Sequence, residues 1–355
     1  MPDFDPTARD FPPPSVPVRP DWLARTREQA EEPDLSIIDA HHHIWNRPHE
    51  VYMADDLLAD LTAGHNVIAT VYAQCRSHYR QDGPEHLRPV GETDFVRRLA
   101  EALPADAPQV GRGIVAHAAL MRGAAVAEVL DAHVEAAPDR MRGIRDMTTH
   151  DARLTASFGA IPAGRLLDPT WREGFAQLAP RGLSYDCYAF HTQLAEVADL
   201  ARAFPDTAII LNHIGGPLGA GPYARMRDEV FTGWSAAMRT LAQCPNVSVK
   251  VGGFGMHNYG HAFDQADAAP DSATIAAAIG PYVALCVEAF GADRCMFESN
   301  FPVDKGMVGY VSLWNAFKQV SRECSAAERA DLFAGCANRV YRLNLDHEIA
   351  RGAKA

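Results

Sequence analysis

The chain has 355 residues, 47% of them hydrophobic, and a formal charge of −12 from 33 basic and 45 acidic residues. That is enough apolar material for a large core, in one α/β domain or two smaller ones. The spread of acidic charge without a Lys/Arg cluster argues against nucleic acid and anionic membrane as partners.

Residues 1–33 are rich in proline and charge, with a short helical pattern from Trp22 to Glu31, and read as an arm packed on a neighbour or on the outside of the fold. Short β-like runs then alternate with helical stretches: LSIIDA, NVIATVYAQC, GRGIVAHAAL, MRGIRDM, LSYDCYAF, TAIILNHI, NVSVKVGGF and RCMFESNF. Between them, segments such as AAVAEVLDAHVEAAP and QLAEVADLARAFP have helical apolar spacing and end in Pro or Gly. Parallel strands need crossover helices, and eight such units close a sheet, so residues 34–345 are expected to form a (β/α)8 TIM barrel. An open doubly wound sheet is the runner-up, but no GxGxxG turn follows the first strand. A closing helix is expected from Ser325 to Leu345, with residues 346–355 a frayed tail.

Seven cysteines, Cys75, Cys187, Cys244, Cys286, Cys295, Cys324 and Cys336, are widely spaced without a CxxC pair and fit reduced, mostly buried thiols. No apolar run approaches the ~20 residues of a membrane helix, and the N-terminus lacks a basic and apolar leader pattern. A cytoplasmic protein is the expectation.

The stretch IIDAHHHIW ends the first strand. If Ile38 and Ala40 pack outward, alternation points Asp39, His41 and His43 into the barrel and His42 away. Two imidazoles so spaced can bind one ion such as Zn²⁺, or simply fill the barrel mouth with satisfied hydrogen bonds. Other strand ends add His213, Lys250, Arg142 and Arg145, and the eighth brings Glu298, Asn300, Asp304 and Lys305. So many ionisable groups at strand C-termini are costly to desolvate without a purpose. Arg145 is favoured as a guanidinium contact to substrate, with Arg142 in an ion pair with Asp139 or Asp146. Lys250 either orients substrate or forms an internal salt bridge, and Tyr188, His191 and Gln193 lie where they could line a pocket. Two long connections, residues 76–93 and 252–272, are candidate walls or lids. They carry Tyr79, Arg80 and Glu92, and His257, Tyr259 and His261.

The order HxH on the first strand, HIGGP on the sixth and ESNFP on the eighth resembles the amidohydrolase superfamily, in the branch that includes 2-pyrone-4,6-dicarboxylate lactonase and sugar-acid lactonases. The resemblance spans roughly residues 35–345. It implies a TIM barrel with His41, His43 and His213 at the histidine positions, able to hold one divalent metal, Zn or Mn, although metal-free relatives make metal-independent action an equal expectation. The eighth strand departs from the pattern, with Asn300 where an aspartate is usual, and an amide cannot take a proton at neutral pH. Glu298 is the first candidate to replace that carboxylate and Asp304 the second. Arginines on the fourth strand argue against a binuclear site.

The resemblance implies a hydrolase that opens a lactone or related cyclic ester. Glu298, His213, Asp304 and Asn300 are its candidate catalytic residues, and Arg145, Lys250, Tyr188 and His191 its candidate substrate contacts. Two other readings stay open. One is a metal-dependent nonoxidative decarboxylase of an aromatic or unsaturated acid; the other is a non-catalytic small-molecule binding protein on the same barrel. A homodimer is the expected assembly.

Overall fold

The structure is a computed structural model that describes residues 15–48, 50–154 and 161–352. The first part of the arm and the end of the tail lie outside the described residues.

Eight parallel strands run in sequence order around one sheet: β1 (Ile37–His42), β2 (Val67–Ala73), β3 (Gln109–Ala116), β4 (Met141–Ile144), β5 (Ser184–Cys187), β6 (Ile209–Leu211), β7 (Val247–Val251) and β8 (Cys295–Phe297). The ring closes just past β8, where Asn300 N–H donates to His41 O at 2.9 Å and His43 N–H to Phe301 O at 2.7 Å. A helix follows each strand, as parallel order requires. Local chemistry sets several helix starts. Asp168 accepts from the N–H groups of Thr170 and Trp171 with Pro169 at the first position, and Asp271 accepts from Thr274 N–H. The fold is the expected (β/α)8 barrel.

Outward strand residues such as Ile37, Tyr72, Ile114 and Val249 pack on helix residues including Trp171, Trp234 and Trp314. Each such buried side chain contributes ~1.5–3 kcal/mol. A second apolar cluster fills the barrel itself: Ile38, Ala40, Val71, Val115, Ile210 and Met296 meet Tyr341, Leu343 and Leu345 from the C-terminal segment.

That cluster corrects the expected alternation in β1. Ile38 and Ala40 face the barrel interior, whereas Asp39 faces away, accepting from Ser299 N–H at 2.9 Å and Tyr310 OH at 3.1 Å. The β1–β2 register shifts between Asp39 and His42, so strict period 2 breaks there. His41 and His43 still face inward. His42 faces away as expected; its Nε2 takes the Thr70 hydroxyl at 2.8 Å, and burial pushes its pKa down to about 3.

Four other expectations are corrected. The arm helix is Pro20–Leu23 only. The arm lies on the barrel's outside, with Trp22 Nε1 donating to Ala266 O and Glu28 accepting from Ser272. The closing helix breaks into Ala326–Ala330, a π turn at Asp331–Gly335 and Cys336–Val340, and the tail forms a helix at Asp346–Gly352 rather than fraying. Ser272–Phe290, 19 residues with Pro281 inside, is long and apolar enough to cross a membrane by length and composition. It nevertheless buries Ile275, Ile279, Val283, Cys286 and Phe290 as a barrel helix. All seven cysteines are free thiols, five of them buried.

Candidate active site

At the C-terminal end of the strands, a cavity of about 240 Å³ opens above a layer of histidines. Its walls include His43, Trp45, Gln74, Arg145, Tyr188, His213, Met256 and Asn300. The volume is below the ~300–1,000 Å³ common for drug-sized ligands. One monocyclic molecule fits it.

Glu298, fully buried in the turn after β8, lies beneath the histidines rather than in the cavity wall. Its Oε1 accepts from His213 Nδ1–H at 2.7 Å and from His213 N–H at 3.1 Å, while Oε2 lies 3.0 Å from His41 Nδ1. His213 therefore carries its proton on Nδ1 and turns an Nε2 lone pair away from the carboxylate, while His41 Nδ1 lies between Glu298 Oε2 and the Lys250 ammonium, 3.3 Å away. His43 is fixed in the same tautomer by its backbone partner, Nδ1–H donating to Ala73 O at 2.7 Å. Burial, reinforced by the positive charges of Lys250 and Arg145, holds His41 well below the usual histidine range, and burial with Arg145 does the same to His43. They are neutral at neutral pH.

His41 Nε2 and His43 Nε2 face each other at 3.3 Å. Two lone pairs at that distance need a cation or a donated proton. The separation is close to the ~3.3 Å edge of a tetrahedron whose metal–nitrogen bonds are ~2.0 Å. Asn300 adds an Oδ1 that is buried without a hydrogen-bond partner, because its Nδ2 is committed to Asp304 Oδ1 at 2.8 Å. The two Nε2 atoms are spaced to share one divalent ion, with Asn300 Oδ1 an unpaired oxygen of the same cavity wall. Arg145 competes for the same place, its Nη1–H donating to His41 Nε2 at 3.1 Å. His41, His213 and Glu298 also form a group whose ligand atoms lie within 4.8 Å of one another. The His213 contact is a hydrogen bond at 2.7 Å, and His41 Nδ1 lies 3.0 Å from Oε2. A carboxylate on the Nδ1 side matches the support that metal-ligating histidines receive.

Arg145 is 94% buried by its 6% exposure and has no ion pair among the described residues. Its Nη2 donates to Gln74 O, and its Nε has no partner. A buried guanidinium without a carboxylate is destabilising by itself, so the arrangement favours an incoming anion or oxyanion.

Other expected site residues lie elsewhere. Lys250 does not reach the cavity: it is fully buried one layer down, 2.6 Å from Asp186 Oδ2, which also accepts from Tyr341 OH and Asn212 Nδ2. The internal salt bridge is the reading that fits its position. His191 stands off the cavity, edge-on to Tyr223, with Nδ1 accepting from Leu218 N–H. Asp304 sits behind Asn300 with its two oxygens taken by Asn300 Nδ2 and Gly255 N–H, and burial pushes its carboxyl well above the usual range. Arg142 bonds the carbonyls of Asp139 and Met141 instead of a carboxylate. Tyr188 does line the cavity, its ring edge-on to His213 at 5.0 Å.

The long connections behave differently. Residues 252–272 put Met256 in the cavity wall and otherwise buttress the site from behind. A Cβ at Gly253, whose φ is +72°, would lie 2.8 Å from the His213 ring, and one at Gly252 would lie 2.4 Å from Glu298 Cγ. Tyr259 OH donates to His213 O at 2.6 Å. Residues 76–93 begin at the cavity rim, and Glu92 there accepts from Tyr72 OH and Cys75 N–H rather than facing substrate. Sequence reasoning missed Trp45, Arg47, Gln74 and Arg76 in the wall. Their signal was present: the alternation that marks His41 and His43 runs on through Trp45 and Arg47.

An amidohydrolase family model matches residues 38–343. An uncharacterised protein, y4mH, of Sinorhizobium fredii is 35% identical over 333 residues, 87% of this chain and 99% of that protein. An L-fucono-1,5-lactonase of Burkholderia ambifaria is 28% identical over 181 residues, 50% of this chain and 56% of that enzyme. Among solved structures, an amidohydrolase from Burkholderia multivorans with bound zinc superposes with a TM-score of 0.66 at 23% identity, covering 86% of this chain and 99% of that one, a likeness of fold. With the family model spanning the whole barrel, the chain belongs to the amidohydrolase family.

Proposed function

We propose that this hydrolase opens a lactone or related cyclic ester, with His213 as the general base. The observation that carries the reading is the 2.7 Å contact between Glu298 Oε1 and His213 Nδ1, which directs the Nε2 lone pair of a cavity-lining imidazole away from its carboxylate. His213 Nε2 takes a proton from water as the water oxygen bonds to the ester carbon, and Glu298 stabilises the imidazolium through Nδ1–H. The Nη1–H and Nε–H groups of Arg145 are donors for the oxyanion. As the ring C–O bond breaks, the imidazolium returns its proton to the leaving alkoxide. Asn300 Oδ1 accepts from a substrate hydroxyl or from the attacking water.

Glu298 thus acts through an imidazole, which is why an amide at position 300 is compatible with hydrolysis. His41 Nε2, His43 Nε2 and Asn300 Oδ1 would hold a divalent metal. Such an ion polarises an ester carbonyl as a Lewis acid. The zinc of the Burkholderia structure and the name of the L-fucono-1,5-lactonase support the metal and the substrate class respectively.

The test is ring opening of five- and six-membered lactones followed by acid release, with metal content measured by elemental analysis. His213→Gln should lower kcat by ~10²-fold or more. Near-wild-type turnover in that variant, or carbon dioxide release from aromatic acids with no lactone opened, would overturn the reading.

A further inference from the structure

The cavity rim carries an anion-binding position. We propose that Arg47 and Arg76 hold a carboxylate on the substrate, so that the molecule opened here is an acidic lactone rather than a neutral one. This rests on the lactonase reading of the same cavity.

Charge is the first observation. Among the described residues, three arginines line the cavity, Arg47, Arg76 and Arg145, and no aspartate or glutamate does. With His41 and His43 neutral, no described wall residue balances them. Neither Arg47 nor Arg76 forms an ion pair among the described residues; the acid nearest in pairing to Arg47 is Glu50, opposite it across a two-stranded hairpin. A cleft of one sign with low-dielectric walls focuses its field on an entering anion.

Geometry is the second. His43, Trp45 and Arg47 alternate on one face and stack upward, with the His43 and Trp45 rings 5.7 Å apart and the Arg47 guanidinium 3.9 Å over the Trp45 ring. Arg47 Nη2–H donates to Cys75 O at 3.1 Å, which ties that guanidinium to the peptide leading into Arg76. Arg76 has φ +60° and His78 φ +55°, left-handed conformations that non-glycine residues adopt at a cost and that cluster at ligand clamps. The two rim arginines therefore belong to one place.

Depth is the third. Arg145 lies against His41 beside the reacting carbonyl, whereas Arg47 stands above the Trp45 ring. A ring with its ester carbonyl at the histidines points a substituent on its far side toward the rim.

Binding reads the anion position without turnover, so its failure is distinct from failure of the lactonase reading. Furan-2-carboxylate and neutral furan-2-carboxamide serve as ring-sized probes, titrated calorimetrically into the wild type, Arg47→Met and Arg76→Met at low and moderate salt. The expected result is tighter binding of the carboxylate by the wild type, weakened roughly 10-fold or more in each variant, with amide binding changed by a smaller factor. Equal binding of the two probes by the wild type, or carboxylate affinity preserved in both variants, would overturn it. In the ring-opening assay, the variants should raise KM for a lactone bearing a free carboxylate by a larger factor than for its neutral amide counterpart.

Discussion

The two faces of the histidine layer differ in how fully their polar groups are paired. Below it, Glu298 Oε1 accepts from His213, Lys250 meets Asp186, and Tyr341 OH and Asn212 Nδ2 also converge on Asp186; Asn212 Oδ1 and Glu298 Oε2 are left without a hydrogen-bond partner. Above it, Arg145 Nε, Gln74 Oε1 and Asn300 Oδ1 are all buried without partners. Unpaired buried groups are destabilising. The three above belong to residues that line the cavity, where a bound ligand would complete them.

The sharpest way to break this contrast is Glu298→Gln. An amide that presents its nitrogen to His213 Nδ1 reverses that imidazole's tautomer and turns N–H toward the cavity, and one that presents its oxygen no longer stabilises the imidazolium by charge. Turnover should fall by ~10²–10⁴-fold with the thermal transition little changed, as steady-state kinetics and calorimetry would show. A variant that loses stability but keeps kcat would make the carboxylate purely structural.

Lys250→Met tests the lower face in the opposite sense. It leaves the Asp186 carboxylate buried without its ammonium, and removing one member of a buried pair is destabilising by ~3–5 kcal/mol. Denaturant unfolding should show that loss. Substrate KM should change little, because Lys250 does not line the cavity.

A paired histidine outside the site offers the finer test. His133 Nε2–H donates to His117 O at 2.9 Å while Nδ1 accepts from Thr93 OH at 2.8 Å, and burial lowers its pKa to about 4. The unfolded chain takes up that proton first. Stability from this group is therefore complete above about pH 6.5 and is lost as pH falls toward 4, by ~3 kcal/mol at most. His133→Gln keeps a donor and an acceptor, and should flatten the acid limb of a stability–pH profile.

Alternating apolar strands and helices made the barrel legible, and the strand-end motifs made His41, His43 and His213 legible. The phase of β1 was not, because the register shift between Asp39 and His42 has no residue signature. Lys250 and Glu298 read alike in sequence as inward ionisable groups. Only their depth separates them, and depth depends on strand stagger around the barrel. Arg47 escapes a strand pattern that ends at His43, although the chain turns into a hairpin and keeps its alternation.

Tyr341 and Leu343 lie within the barrel interior, supplied by a segment that follows all eight strands in the chain. During synthesis the strands leave the ribosome before that plug does, so a nascent barrel carries an open lower end and an Asp186 without its tyrosine partner. Its last folding step is then tied to release of the chain beyond Leu345, and a stop codon only a few residues before Tyr341 would leave all eight strands present around an unfilled centre.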